Sequence, residues 1–296
     1  MIFKIPELDN HYLRQVAWAI FSPRLLNHPL AVDYVRDEAH YHQLVALLQK
    51  LDTNHQAVNA HFDKIPKKPL GKYFEALLHY ILERDERYEV ILKNHQIIED
   101  KRTVGEIDLI LRDTISGKLE HWELSVKFYL HHPSKNSLED FIGPNAKDQL
   151  DLKFDKLIKH QLPLSSHKQI QYLIESESIE NKLLTKGQLF NYTNTDNLFP
   201  PTVNQQCKSG WWIRLNKLSE ALAKAKYWFI ADKTYWIGTN RFDTSEDLKT
   251  KDEILDLIQS HFKTDQRSVM LLGLEDSESG FIEITRGFVT KSDWPS

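Results

Sequence analysis

A helix with one apolar face leads directly into a run of strand-like segments near the middle of this sequence. In "LGKYFEALLHYILER", Phe74, Leu77, Leu78 and Ile81 recur at helical spacing, which predicts a helix that buries one side. From Tyr88 the pattern changes to alternation, in "YEVILK", "HQIIED", "GEIDLIL" and "HWELSVKFYL". Packing the helix on a sheet buries the apolar face of the helix and one apolar face of the strands. The need to bury both faces constrains the fold more than any other feature.

The segments on either side of this centre differ in character. Residues 10–62 have helical spacing, and "IPKKPLG" interrupts it, while a later helix is predicted at about residues 145–162. The segments "QIQYLIES", "GQLFNY", "GWWIRL", "YWFIA" and "TYWIG" are predicted as strands, and so are "SVMLLGLE" and "FIEITRGF" after a helix in "SEDLKTKDEILDLIQSHF". We therefore expect an α/β protein with a helical N-terminal region (1–65), a core (66–175) and a strand-rich C-terminal region (176–296) packed on that core.

Composition excludes several classes of protein. The net charge of −4 gives no global attraction to nucleic acid, so such binding requires a local basic patch. The single cysteine, Cys207, excludes an internal disulfide framework and a zinc site built on paired cysteines. There is no run of membrane-helix length, no signal-peptide pattern and no GxxxxGK or HExxH motif. We expect a cytoplasmic protein without a membrane segment, and neither a motor nor a kinase.

Two carboxylates lie inside the apolar, strand-like segments. Alternation places Glu123, Ser125 and Lys127 on one face of their strand, and Asp108 meets Glu123 if the two strands pair on a shared face. Adjacent carboxylates repel each other unless a proton or a cation lies between them. Mg²⁺ prefers oxygen ligands and often takes one or two carboxylates, so the pair predicts a site for a hard divalent cation. Such a site activates water, and a lysine beside it stabilises charge on a phosphoryl group.

The order of these residues resembles the core of the PD-(D/E)XK nuclease superfamily. The segment "GKYFE" is similar to its first-helix motif and supplies Glu75, and "GEID" is similar to its aspartate motif and supplies Asp108. The segment "WELSVKF" is similar to the strand that carries a second carboxylate and a lysine, here Glu123 and Lys127. The whole chain looks like an uncharacterised bacterial family assigned to that superfamily, through "AWAIFSPRLL", "GPNAKDQLDLK" and "GWW".

This resemblance implies a restriction-endonuclease-like mixed sheet flanked by helices, and a nuclease that hydrolyses phosphodiester bonds of nucleic acid, in particular DNA. It implies that Glu75, Asp108 and Glu123 hold Mg²⁺ or Mn²⁺ and that Lys127 positions water or stabilises the transition state. The superfamily pattern has its lysine two residues after the second carboxylate, where this sequence has Ser125. Lys127 is about 13 Å along the strand from Glu123. The alternative is a catalytically inactive module of the same fold that binds nucleic acid or a protein partner.

The predicted helix after the strands carries a basic flank. At helical spacing this flank contains Gln149, Lys153, Lys156 and His160, which predicts contact with a phosphate backbone. The alternative is a solvated amphipathic helix with Asp/Lys pairs. The aromatic residues of "GWW" and of the later strands are interpreted as core rather than as a base-stacking surface.

Overall fold

The computed structural model describes residues 3–295, which separate into two compact units. The first unit combines the chain up to Lys127 with Leu152–Lys186, and the second combines Phe128–Asp151 with the chain from Gly187 onward. Helices and strands occur in both units, so the fold is mixed α/β, as the spacing of apolar residues predicted. Each unit takes two separate stretches of chain, whereas the three regions predicted from the sequence are consecutive.

Four helices precede the first strand, in agreement with the helical spacing of the N-terminal third. They are α1 (His11–Phe21), α2 (Glu38–Asp52), α3 (His55–Phe62) and α4 (Leu70–Leu82). Polar side chains that accept backbone N–H groups cap the first three, and α4 begins directly after Pro69. The predicted apolar face of α4 is buried, with Phe74, Leu77 and Leu78 at most 1% exposed. Within residues 3–295 no helix is long and apolar enough to cross a membrane.

The first unit contains an antiparallel meander with a further strand beside it. The strands are β1 (Tyr88–Glu99), β2 (Arg102–Asp113) and the parts of β3 (Leu119–His131) and β5 (Ile179–Tyr192) that end at Lys127 and Lys186, in the order β1-β2-β3-β5. The sequence predicted separate strands at "YEVILK" and "HQIIED", but both belong to β1. The strand continues through Asn94, whose φ of 47° is one that asparagine tolerates, and the register against β2 is the same on both sides of it, at Lys93 and His95.

The prediction of a strand at "QIQYLIES" is wrong. This segment contains helix α6 (Lys168–Leu173), which the ring of His167 caps by accepting the Gln169 N–H. Ile170 and Ile174 are buried among Ile97 and Ile107, so the apolar spacing is that of a helix turn. The preceding helix α5 (Leu150–Lys156) begins later than predicted and continues as a π-helical turn over Leu157–Gln161.

The second unit contains a mixed sheet in the order β5-β6-β10-β9-β7. Its further elements are β4 (Phe141–Ile142), β6 (Lys208–Arg214), α7 (Leu218–Ala221), β7 (Tyr227–Ala231), β8 (Arg241–Phe242), α8 (Lys251–Thr264), β9 (Val269–Ser277) and β10 (Gly280–Thr290). β6 runs parallel to β5 and β10, whereas β9 is antiparallel to β10 and β7. Trp211 and Trp228 lie in its core, as the aromatic segments predicted. The expected strand at "TYWIG" is instead a 3₁₀ turn over Lys233–Tyr235, which Asp232 caps.

The turn between β1 and β2 makes a prediction for stability. Glu99 pairs with Arg102, and the two turn residues, Asp100 and Lys101, have φ angles of 47° and 63°. Such a turn favours glycine at its second position, so Lys101→Gly should raise the free energy of unfolding by about 0.5–1 kcal/mol. Urea unfolding measures this difference. The control is Ile115→Gly in the next turn, where φ lies outside the left-handed region and glycine should lower stability.

Candidate active site

Asp108 and Glu123 lie where β2 and β3 stop pairing. Their antiparallel register ends at Leu109 opposite Trp122, so the next two residues, Asp108 and Glu123, follow on the shared face. The backbone N–H of Leu124 donates to Asp108 Oδ2 at 2.9 Å, so a carboxylate oxygen takes the place of a strand carbonyl. This placement agrees with the alternation of the sequence.

Glu75 approaches the same two carboxylates from α4. It is 8% exposed, on the side of the helix that packs inward. Burial raises the pKa of Glu75, Lys72 partly opposes this, and the carboxylates of Glu106 and Glu123 raise it further. Residues predicted from three separate segments therefore act on one another electrostatically.

The pKa of Asp108 is also shifted by the nearby carboxylates. Its burial and the neighbouring carboxylate of Glu123 raise the pKa from 3.8 to about 7, and Glu75 adds to the rise. The Leu124 N–H and the charge of Lys72 act in the opposite direction but do not cancel it. The site is thus a desolvated group of carboxylates whose negative charge the surrounding protein neutralises incompletely.

A histidine that was not among the predicted site residues lies on the same face of β3 as Glu123. His121 Nε2 lies 3.0 Å from Glu123 Oε1, and both side chains are at most 1% exposed. On its other side, His121 Nδ1 lies 3.1 Å from Asn181 Oδ1, which also accepts a hydrogen bond from Ser165 Oγ. A contact of this length between a ring nitrogen and a carboxylate oxygen requires one proton between them. The available signal was its position two residues before Glu123 on the same strand face.

A lysine on the first turn of α4 was also missed. Lys72 Nζ donates to Glu75 Oε2 at 2.8 Å and to Glu106 Oε1 at 2.7 Å, so it joins α4 to β2. Burial alone lowers the pKa of Lys72, but its two carboxylate partners outweigh that effect and raise it. The signals were the three-residue spacing from Lys72 to Glu75 and the two-residue spacing from Glu106 to Asp108.

The remaining predicted residues lie in different surroundings. Lys127 is half-buried on the face of β3 that carries Glu123, four residues further along. Lys153, Lys156 and His160 are exposed in the first unit, on α5 and the π-helical turn after it.

Gln149 belongs to the second unit, where it pairs with Ile142. Across residues 3–295, no three Asp, Glu, His or Cys side chains are arranged to hold one metal ion. In this conformation each predicted ligand is instead engaged by the protein itself: Glu75 by Lys72, Asp108 by the Leu124 N–H and Glu123 by His121.

A comparison with known protein families found one family whose model matches most of the chain. The family described as Domain of unknown function (DUF1853) matches residues 14–290. The chain belongs to this DUF1853 family. No curated protein and no solved structure matched the chain.

The raised pKa of Asp108 predicts how the metal-free DUF1853 protein responds to pH. The folded protein holds the Asp108 proton more tightly than the unfolded chain, so this contribution is complete below the unfolded pKa and is lost as pH rises to about 7. Asp108→Asn keeps an acceptor for Leu124 and removes the charge. At about pH 8 the variant should exceed wild type by about 1–3 kcal/mol in free energy of unfolding, and at about pH 5 by less.

Urea unfolding in a chelating buffer at the two pH values measures this effect. The matched control is Asp113→Asn at the C-terminal end of β2. Although burial acts to raise the pKa of Asp113, its bonds to Arg87 and to two backbone N–H groups lower it overall. That variant should lose stability at about pH 8. A loss in Asp108→Asn as well would mean that Asp108 is kept for its hydrogen bond.

Proposed function

We propose that this protein is a metal-dependent phosphodiesterase that acts on nucleic acid, in particular DNA, with a core of the PD-(D/E)XK type. The observation that supports it most is the electrostatic group formed by Asp108, Glu123 and Glu75, in which burial and the neighbouring carboxylates raise the pKa of Asp108 to about 7. Buried charge of one sign is costly to a fold unless it is matched. A site that keeps such charge is a candidate for binding a cation.

The chemistry of the donor set fits Mg²⁺ or Mn²⁺. Asp108, Glu123 and Glu75 offer only oxygen atoms, which hard divalent cations prefer, and they come from two strands and one helix of the same unit. A cation bound there would polarise a phosphoryl oxygen and an attacking water. Because each carboxylate now has an internal donor, binding requires these side chains to turn away from those donors.

The protein's own cations complete the proposed site. Lys127 would stabilise the negative charge that develops on the phosphoryl group, since it shares the Glu123 face of β3. Lys153, Lys156 and His160 would bind backbone phosphates from their exposed positions. Gln149, predicted with them, belongs to the second unit, so phosphate binding is assigned to the other three residues.

One observation favours a second function. Ser125 occupies the position where the superfamily pattern has lysine, and Lys127 lies a further two residues along β3. A module of this fold that binds nucleic acid without cleaving it would need the basic residues and not the lysine of the reaction. Binding and cleavage must therefore be measured separately.

Binding is tested through Lys153 and Lys156. Replacing both with Ala should weaken binding of labelled DNA regardless of sequence, because phosphate contacts carry no base information. The slope of log affinity against log salt should fall by about one unit for each phosphate that the variant no longer neutralises. The charge-matched control replaces Lys118 and Lys182, which both donate to Glu180 in the same unit, and should leave the slope unchanged. Wild type that binds neither DNA nor RNA at low salt would contradict both functions.

Cleavage is tested through Lys127. Lys127→Ala should leave DNA affinity within about twofold of wild type and lower the Mn²⁺-dependent cleavage rate by about a hundredfold or more, since its proposed role is confined to the transition state. The assay follows hydrolysis of labelled single- and double-stranded DNA and RNA beside the binding measurement. Wild type that binds DNA but does not cleave it with Mn²⁺ would favour the non-catalytic module. Equal cleavage by wild type and Lys127→Ala would remove Lys127 from the mechanism.

A further inference from the structure

Lys72 places a positive charge directly on one of the proposed metal ligands. Its ammonium group donates to Glu75 Oε2 at 2.8 Å and to Glu106 Oε1 at 2.7 Å, so it bridges a carboxylate on α4 and one on β2. The Glu75 side chain is only 11% exposed, whereas that of Lys72 is 52% exposed. The lysine therefore enters a buried carboxylate group from the solvent side.

At this position the positive charge of Lys72 offsets part of the repulsion among the carboxylates. Glu75 and Asp108 are both affected by the charge of Lys72, which opposes the effect of the neighbouring carboxylates. A monovalent ammonium neutralises only part of the charge of the carboxylates around it. A divalent cation neutralises more and binds through the same oxygen atoms.

Lys72 is also able to leave its carboxylate partners. Half of its side chain is in solvent, so water can hydrate the ammonium when it leaves, whereas the buried carboxylate of Glu75 then needs another cation in its place. The three-residue spacing along α4 keeps Lys72 beside Glu75 whether or not the bond is made. Its ammonium would then remain near a bound metal ion and repel it.

We propose that Lys72 is a resident counter-ion of the carboxylate site, which a divalent cation must displace from Glu75, so that Lys72 lowers the affinity of the site for metal. This inference rests on the proposed function, since it takes Glu75 as a metal ligand. Lys72 thereby raises the concentration of divalent ions at which the site is half-loaded. The opposite role, in which Lys72 orients Glu75 for the metal, predicts the opposite sign.

The test measures Mn²⁺ binding to the full-length protein by the loss of the electron paramagnetic resonance signal of free Mn²⁺. Lys72→Met keeps the length of the side chain and removes its charge, and should bind Mn²⁺ about three- to tenfold more tightly than wild type. Lys72→Arg keeps the charge and should bind close to wild type.

The matched control is Lys93→Met. Lys93 is 51% exposed and pairs with the half-exposed Glu83 just beyond the end of α4 at 3.2 Å, so the variant removes a lysine of equal exposure that does not contact the proposed ligands. It should change the affinity by less than about twofold. Thermal unfolding of the metal-free variants verifies that each is folded.

The outcomes separate this inference from the proposed function. Asp108→Asn must abolish Mn²⁺ binding for the site to be the one described, and persistent binding would contradict both. If wild type and Lys72→Met bind Mn²⁺ equally, or the variant binds more weakly, the counter-ion role is overturned while the metal site stands. If neither binds Mn²⁺, the metal site and the counter-ion role both fail. Tighter binding by Lys72→Met alone supports the inference.

Discussion

The hydrogen bond from the Leu124 N–H to the Asp108 carboxylate fixes the arrangement of the whole site. It lies where β2 and β3 stop pairing, so a side chain satisfies a backbone donor that the strand ladder leaves open. The same bond holds Asp108 on the face of Glu123 and below α4. Glu75, which Lys72 contacts, and Glu123, which pairs with His121, both act on the charge of Asp108.

Strand β3 carries two buried glutamates that differ in how their charge is matched. Glu120 accepts hydrogen bonds from Arg36 and from Trp122 Nε1, so a permanently charged guanidinium neutralises it. Glu123, on the other face, pairs with one ring nitrogen of His121, whose other ring nitrogen contacts Asn181. The first pair is a finished structural ion pair.

The sequence predicted the parts of this site that depend on alternation along a strand or on one helix face. Asp108, Glu123 and the buried face of α4 follow from such local patterns, because the side-chain period is set by backbone geometry. Lys72 and His121 were missed because their roles depend on which charges meet after folding. The helix at Ile170 was missed since a short apolar segment fits either a strand or a helix until its packing partners are known. The proposed chemistry rests on a resemblance of short motifs, which local pattern alone does not decide.

The chain changes from one compact unit to the other three times, after Lys127, after Asp151 and after Lys186. Neither unit is therefore a continuous segment, and a single truncation cannot isolate either one intact. The first change falls inside β3 and the last inside β5, so a ribosome must reach Lys186 before the carboxylate-bearing unit has all of its chain. During synthesis, more than half of the protein must be made before the unit that contains the candidate site can fold completely.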